Sequence, residues 1–282
     1  MTDWLAYLLP WEFSLPIWLV IGSALLLYLR GLRRLPSPGC GRVVCFITGL
    51  LAMLVVTQTY FDYLAQYMFF IHRGQHLVLH HLAPFLIALA APAPVLAAGL
   101  PERWRPRLSR LWRSTLIQIP YRVLQAPVIA SLLFVGLIYF WLMPEVHFEA
   151  MLSRPRYELM NWSMAVDGLL FWWIIFDRRA PGAPGWVSPG WRIAMLIGVM
   201  FPQIFLGAYI ALHDQVMFDV YEVCGRAWPL SPITDQQLGG LLTWMPPAMM
   251  SALGVLLVLR TLLQGDQAAR LRPARSVGKV AG

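Results

Sequence analysis

The stretch FFIHRGQHLVLHHLAP, residues 69 to 84, holds His72, His76, His80 and His81, four of the chain's six histidines, together with Arg73, in otherwise apolar surroundings. Imidazole is the commonest protein ligand for transition metals, and it also carries protons and clamps haem iron. Helical residues four apart lie about 40° apart around the axis and about 6 Å along it, so His72, His76 and His80 form one slowly turning stripe. His72 and His76 have the i, i+4 spacing with which two histidines chelate a single ion. His80 lies about 12 Å from His72 along the axis and marks a second, deeper position. His81 points elsewhere. Membrane-helix histidines also hydrogen-bond between helices, but an ionisable pair inside a span is by default read as functional.

The remaining histidines, His147 and His213, fall with Met217 and Cys224 in connecting segments. Imidazole together with thioether favours copper, Cu(I) above all, over magnesium or calcium, while zinc also fits these ligand types. Met245 and Met249 in WMPPAMM share a helical face beside Pro246 and Pro247 and are candidate soft ligands, although methionine's ordinary work is filling gaps. Asp167 lies mid-span in NWSMAVDGLLFWW, where a carboxylate costs about 2.5–3.5 kcal/mol on insertion. It is therefore expected to face the bundle interior with a partner, as an ion or proton relay or as an interhelical hydrogen bond. Asp235 follows Pro232 in SPITDQQLGGLL, where a helix begins, and capping of that helix is its expected role.

Membrane helices must carry these groups. The chain is 59% hydrophobic and 13% charged, and its mean hydropathy of +0.60 lies well above that of soluble domains. Runs starting at residues 14, 43, 126, 157, 191 and 238, with the histidine stretch extended to roughly 66–91, meet the length of about 20 residues that a crossing helix needs. Barrel-style alternation is absent, and an unpaired backbone amide in hydrocarbon costs several kcal/mol, so each span must be helical. The expectation is an all-α, polytopic membrane protein: a seven-helix transmembrane domain over residues 1–262 and a basic cytoplasmic tail over 263–282.

With seven spans, all of the 22 Lys and Arg residues except Arg73, Arg154, Arg156 and Arg226 fall on one side. That side is cytoplasmic by the positive-inside rule, which puts the N-terminus outside and the C-terminus inside. The +8 net charge then reflects topology and contact with anionic lipid, and nucleic acid is a poor partner for basic residues scattered over four membrane-flanking segments. His147, His213, Met217 and Cys224 all reach the outer side, where they can meet His72 and His76. Cys40 and Cys45 lie at the cytoplasmic end of the second span, so Cys224 is expected to be a lone outer thiol, as fit for packing as for metal. No signal peptide is expected, since no basic stretch precedes the first apolar run and no A-x-A-like site follows it. G-x-S-x-G, Walker, G-x-G-x-x-G and C-x-x-C-H motifs are absent, so catalysis by the polypeptide is not expected.

The blocks HRGQHLVLHHLAPFLIALAAP, MPEVH, GLLFWWIIFDRRAPG and SPITDQQLGGLLTWMPPAMM resemble the seven-span CtaG cytochrome c oxidase assembly family, over most of residues 60 to 260. That family is distinct from the single-span copper chaperone of the same name. The resemblance implies a multi-pass protein of the bacterial inner membrane that serves maturation of haem-copper oxidases, with copper handling as its usual proposed role and oxidase subunits as partners. It carries His72 and His76 onto the family's two histidines of the third span, and Asp235, Gln236 and Gln237 onto its D-Q-Q block. Many members place a histidine early in the fifth span, where this chain reads LMNWSMAVDG. Met160, Ser163 or Met164 would have to stand in, or the site must draw on His147 and His213. Copper binding at the outer face for insertion into the oxidase is the leading expectation. A copper transporter or channel using His80, Asp167, Met245 and Met249, a haem-binding subunit and a purely structural scaffold are the alternatives.

Overall fold

A computed structural model describes residues 9–10, 12–183 and 185–270, and among them helices carry the whole architecture, with no strand beyond an isolated bridge between Pro10 and Thr59. In chain order the helices are α1 (Leu15–Leu32), α2 (Cys40–Gln58), α3 (Tyr60–Tyr67), α4 (Phe69–His76), a π-helical turn (Leu77–Leu82), α5 (Ala83–Ala90), α6 (Ala93–Gly99), α7 (Arg105–Trp112), α8 (Thr115–Leu124), α9 (Pro127–Trp141), α10 (Pro144–Met151), α11 (Arg154–Ile175), α12 (Pro189–Leu212), α13 (Val220–Val223) and α14 (Pro232–Arg270). Prolines set several starts. Pro127, Pro144, Pro189 and Pro232 open α9, α10, α12 and α14, where a missing amide costs nothing and the fixed φ suits a first turn.

Among the described residues four helices, α1, α2, α12 and residues 232–264 of α14, are long and apolar enough to cross a membrane. The count rises to six if two bent pairs each cross as one: residues 69–90 with α6, which meet at 73°, and α8 with α9, which meet at 72°. α11 is 22 residues long, but Arg154, Arg156, Glu158 and Asp167 lower its hydropathy. The expected boundary at residue 263 does not mark a change of structure, because α14 continues through it to Arg270. Residues 271–282, the rest of the expected basic tail, lie outside the described residues.

Three apolar clusters hold the helices together. Tyr28, Phe46 and Ile87 join α1, α2 and α5; Phe134, Phe171, Trp172 and Leu196 join α9, α11 and α12. The third cluster gathers Phe69, Tyr157, Met160, Met164, Phe218 and Tyr221 around the histidine helix. Just before Pro84 the chain widens into the π turn, and the Ala83 amide donates to the Val78 carbonyl five residues back. A wide turn absorbs the missing Pro84 amide by shifting the hydrogen-bond register. α11 closes on this turn through Gly168, where a Cβ would stand 2.3 Å from the His80 carbonyl oxygen.

Candidate functional site

α4 lacks a cap from its own chain neighbours, since Met68 at its N-cap has no side-chain oxygen to offer. The cap comes from α14. The Asp235 carboxylate accepts the Phe69 amide at 3.0 Å and the Phe70 amide at 2.8 Å, and Arg226 pairs with it. This corrects the expectation that Asp235 caps its own helix: α14 starts three residues earlier, and Ser231 accepts the Thr234 amide there at 3.1 Å. A carboxylate at the first turn of α4 also meets the positive end of that helix. The same block fixes α4 twice more. Gly239 lets the Phe69 ring approach to where a Cβ would be 2.3 Å away, and Thr243 accepts the Arg73 Nε–H at 3.0 Å. Gln236 braces the connection before α14, accepting the Met217 amide at 2.7 Å and donating to the Gln215 carbonyl at 3.0 Å.

Held this way, α4 buries His72 and His76 completely, and α10 brings His147 beside them. The His72 ring centroid lies 4.3 Å from that of His76, 5.2 Å from His147 and 5.9 Å from Tyr157. Partner chemistry fixes two tautomers. His147 Nδ1 faces the Trp141 carbonyl at 3.1 Å and must carry the proton, so its Nε2 accepts from the Tyr221 hydroxyl at 3.0 Å. Burial pushes the His147 pKa down to about 3, partly against its hydrogen bond to the carbonyl, so the ring is neutral at pH 7. His76 Nδ1 accepts from the Arg73 guanidinium at 3.3 Å, which leaves Nε2–H to donate to Asn161 Oδ1 at 3.1 Å.

His72 differs from both. Neither of its ring nitrogens has a hydrogen-bond partner among the described residues, although the side chain is 0% exposed. A buried polar atom left unpaired costs about 1–3 kcal/mol, so two on one ring call for a ligand or another explanation. Among the described residues no three His, Cys, Asp or Glu side chains are arranged to hold an ion between them. His76 and His147 already spend their lone pairs on Arg73 and Tyr221. Of the three rings, His72 keeps both nitrogens unpartnered among the described residues, and Met160 and Met164 are buried in the apolar cluster around α4. Ser163 is committed elsewhere, since it accepts the Trp141 indole N–H at 3.0 Å and donates to the Met160 carbonyl at 2.8 Å.

A cavity of about 430 Å³ reaches the far side of this cluster, lined among others by Glu12, Asp62, Tyr157, Glu158 and Asn161. Asn161 thus faces both the cavity and His76. Asp62 accepts from Gln66 at 3.0 Å and from Gln75 at 2.7 Å, and the Tyr157 hydroxyl lies 2.9 Å from its Oδ1. Burial nonetheless raises the Asp62 pKa to about 6, with these hydrogen bonds acting against the rise.

The deeper histidines form a separate layer. His80 Nε2 meets Asp167 Oδ2 at 3.0 Å and its ring stacks on Phe134 at 4.0 Å, while its Nδ1 has no partner among the described residues. His81 Nε2 lies 2.9 Å from Gln203 Oε1, and Gln203 in turn donates to the Val199 carbonyl, which fixes the proton on His81. His213 stays outside both layers, at the end of α12 beside the Tyr209 ring. Met245 and Met249 are 45% and 70% exposed and lie on the surface of the bundle, whereas His72, His76, His80, His81 and His147 are inside it. The three cysteines are free, with Cys40 and Cys224 exposed.

Asn161, Gln203, Tyr221 and the Asp62–Gln75–Tyr157 network are site residues that no motif in the sequence marks. Two of them carried a signal: Asn161 and Gln203 are amides inside apolar runs, where a polar group implies a partner.

The helices and this buried imidazole layer define a multi-pass helical membrane protein with a polar core. The chain belongs to the Caa3_CtaG family, cytochrome c oxidase caa3 assembly factors, whose model matches residues 26–264. It is similar to an uncharacterised protein of Mycobacterium bovis and to one of Mycobacterium tuberculosis, each 29% identical over 216 residues, 75% of this chain and 32% of the relative. A Mycobacterium leprae protein, also uncharacterised, is 26% identical over 234 residues, 77% of this chain and 34% of the relative. The chain thus spans about a third of the length of the curated relatives it matches. No solved structure matches it.

Proposed function

We propose that this protein assists assembly of a cytochrome c oxidase by holding a copper ion, as cargo, at His72 and passing it to a copper centre of the apo-oxidase. The observation that carries this reading is the His72 ring, fully buried with both nitrogens unpartnered and with His76 and His147 at 4.3 and 5.2 Å. Imidazole with buried thioether suits Cu(I) better than hard cations. Loading draws His147 in by release of the Tyr221 hydroxyl, or His76 by release of Arg73, and the loss of those hydrogen bonds keeps the ion exchangeable. The cavity beside Asn161 is the entry: Arg154 at its wall pairs with Glu12 and Glu158, and the Asp62 carboxylate lies beyond them on the way to the histidines. In this reading all seven apolar runs cross the inner membrane, α11 included, with the N-terminus and the His72 site outside and the C-terminus in the cytoplasm. The family match supplies the oxidase as the client.

Transport is the second reading, favoured by the unpartnered His80 Nδ1 next to Asp167. Both are tested by oxidase copper content in a His72→Ala strain with normal levels of this protein. Copper-depleted oxidase is the expected result, and fully loaded oxidase sinks the proposal. Copper uptake into vesicles that is lost in Asp167→Asn would move the assignment to transport.

A further inference from the structure

The cavity farthest in character from the histidine site lies between the N-terminal end of α2, the α5–α6 corner, α8 and the C-terminal end of α11. Its volume is about 630 Å³, and its lining includes Arg42, Arg178, Trp112, Tyr121 and Trp173 beside the small apolar residues of the α5–α6 corner. Arg42 has no carboxylate partner among the described residues, and Arg178 gives one N–H to the Leu89 carbonyl at 3.2 Å. Asp177 and Arg179 line the same cavity and pair with each other at 2.8 Å, which leaves Arg42 and Arg178 as its excess positive charge. Arg42 also stands in the first turn of α2, where the helix dipole disfavours a cation and favours an anion. Partial desolvation and then the Arg42 charge hold the Arg178 pKa below its ordinary value, as expected of two cations facing one space.

The roof of the cavity supplies an independent observation. α7 and α8 bury no residue at all, and they expose Leu108, Leu111, Trp112, Leu116, Ile119 and Val123. α8 turns 72° away from the apolar α9. A helix pair with bare apolar and aromatic side chains, arginines on the polar side and an axis turned away from the span lies in the plane of a membrane interface. That places the cavity at headgroup depth, with cations at its rim and apolar walls beneath them.

From this we infer that the Arg42–Arg178 cavity binds the phosphodiester headgroup of an anionic phospholipid, whose acyl chains continue along the apolar wall. The walls argue for an amphipathic ligand over free phosphate, and basic pockets between membrane helices are the recurrent form of such lipid sites.

The test is native mass spectrometry of the delipidated full chain with dioleoylphosphatidylglycerol or dioleoylphosphatidylcholine, in wild type, in Arg42→Gln/Arg178→Gln and in Arg110→Gln/Arg113→Gln. The cavity double variant is expected to lose about 30-fold in affinity for the anionic lipid, with no change for the zwitterionic one. The second double variant, which removes two charges of α7 and the residue after it, outside the cavity lining, should retain the affinity. Equal losses in both variants would mean diffuse surface attraction and overturn the proposal. Displacement of the lipid by millimolar inorganic phosphate would overturn it in favour of a free-phosphate site. Both arginines are solvent-exposed, and unchanged helical circular dichroism checks that the variants fold.

Discussion

The Asp235 carboxylate accepts the Phe69 amide at 3.0 Å across 166 positions of sequence. Through that bond the start of α14 sets the axial position of α4, and with it the depth of His72 and His76. The D-Q-Q block therefore acts at one remove from the histidines, as the clamp on the helix that carries them.

Replacing Asp235 by alanine removes the α4 cap and leaves the Arg226 guanidinium without its acid. The cap alone is worth about 1 kcal/mol, and breaking a buried pair from one side costs about 3–5 kcal/mol. Both Asp235→Ala and Asp235→Asn lose the charge pair, so thermal unfolding in detergent should show Asp235→Ala less stable than Asp235→Asn by about the 1 kcal/mol of the cap, because the asparagine oxygen still accepts one α4 amide. Equal stability of the two would show that the cap does not hold α4.

A methyl group at Gly239 has no room, with the Phe69 ring at 2.3 Å, while Gly136 has nothing within 4 Å. Gly239→Ala should cost about 1–3 kcal/mol by overpacking and Gly136→Ala close to nothing. The unfolding midpoints of the two variants, measured side by side, check this.

Asp62 gives the fold a pH dependence of definite sign. Its folded pKa, about 6, lies above the ordinary 3.8 because burial opposes the charge. Between those values the folded state keeps a proton that the unfolded chain has released, so stability falls as pH rises from about 4 to about 6 and levels off above. The whole span is on the order of 3 kcal/mol. Asp62→Asn should flatten this part of the stability–pH curve, which denaturant titrations at pH 4, 5, 6 and 7 would reveal.

Asp167→Ala leaves His80 with no partner on either nitrogen, at a cost of about 1–3 kcal/mol in stability. If the deeper layer is structural, this variant unfolds earlier yet binds copper as tightly as wild type. A loss of copper in a variant still folded by circular dichroism would join the two layers into one site.

Much of the fold was legible because runs of about 20 apolar residues have few other uses, and the Pro127, Pro189 and Pro232 starts are visible as letters. The histidine stripe was legible from i, i+4 spacing alone. The bends were not: α8 and α9 read as loop and span, and only the turn at Ala126 before Pro127 sets the two helices 72° apart. Nor was the role of Asp235, whose local context after Pro232 favours a self-cap, while its actual partners depend on the register of α14 against α4. His213 and Met245 had the right residue types for ligation, and the packing of α12 and α14 leaves them outside the buried cluster. His72 and His76 look equivalent in sequence, and only the positions of Arg73, Asn161 and Tyr221 separate the unpartnered ring from the committed ones.

Copper binding at His72 is measured by Cu(I) titration of the purified protein against a competing chelator, in wild type, His72→Ala and His213→Ala. One tightly held copper is expected in wild type and His213→Ala, and its loss in a folded His72→Ala protein. Wild-type copper affinity in His72→Ala, or none in wild type, would contradict binding at His72.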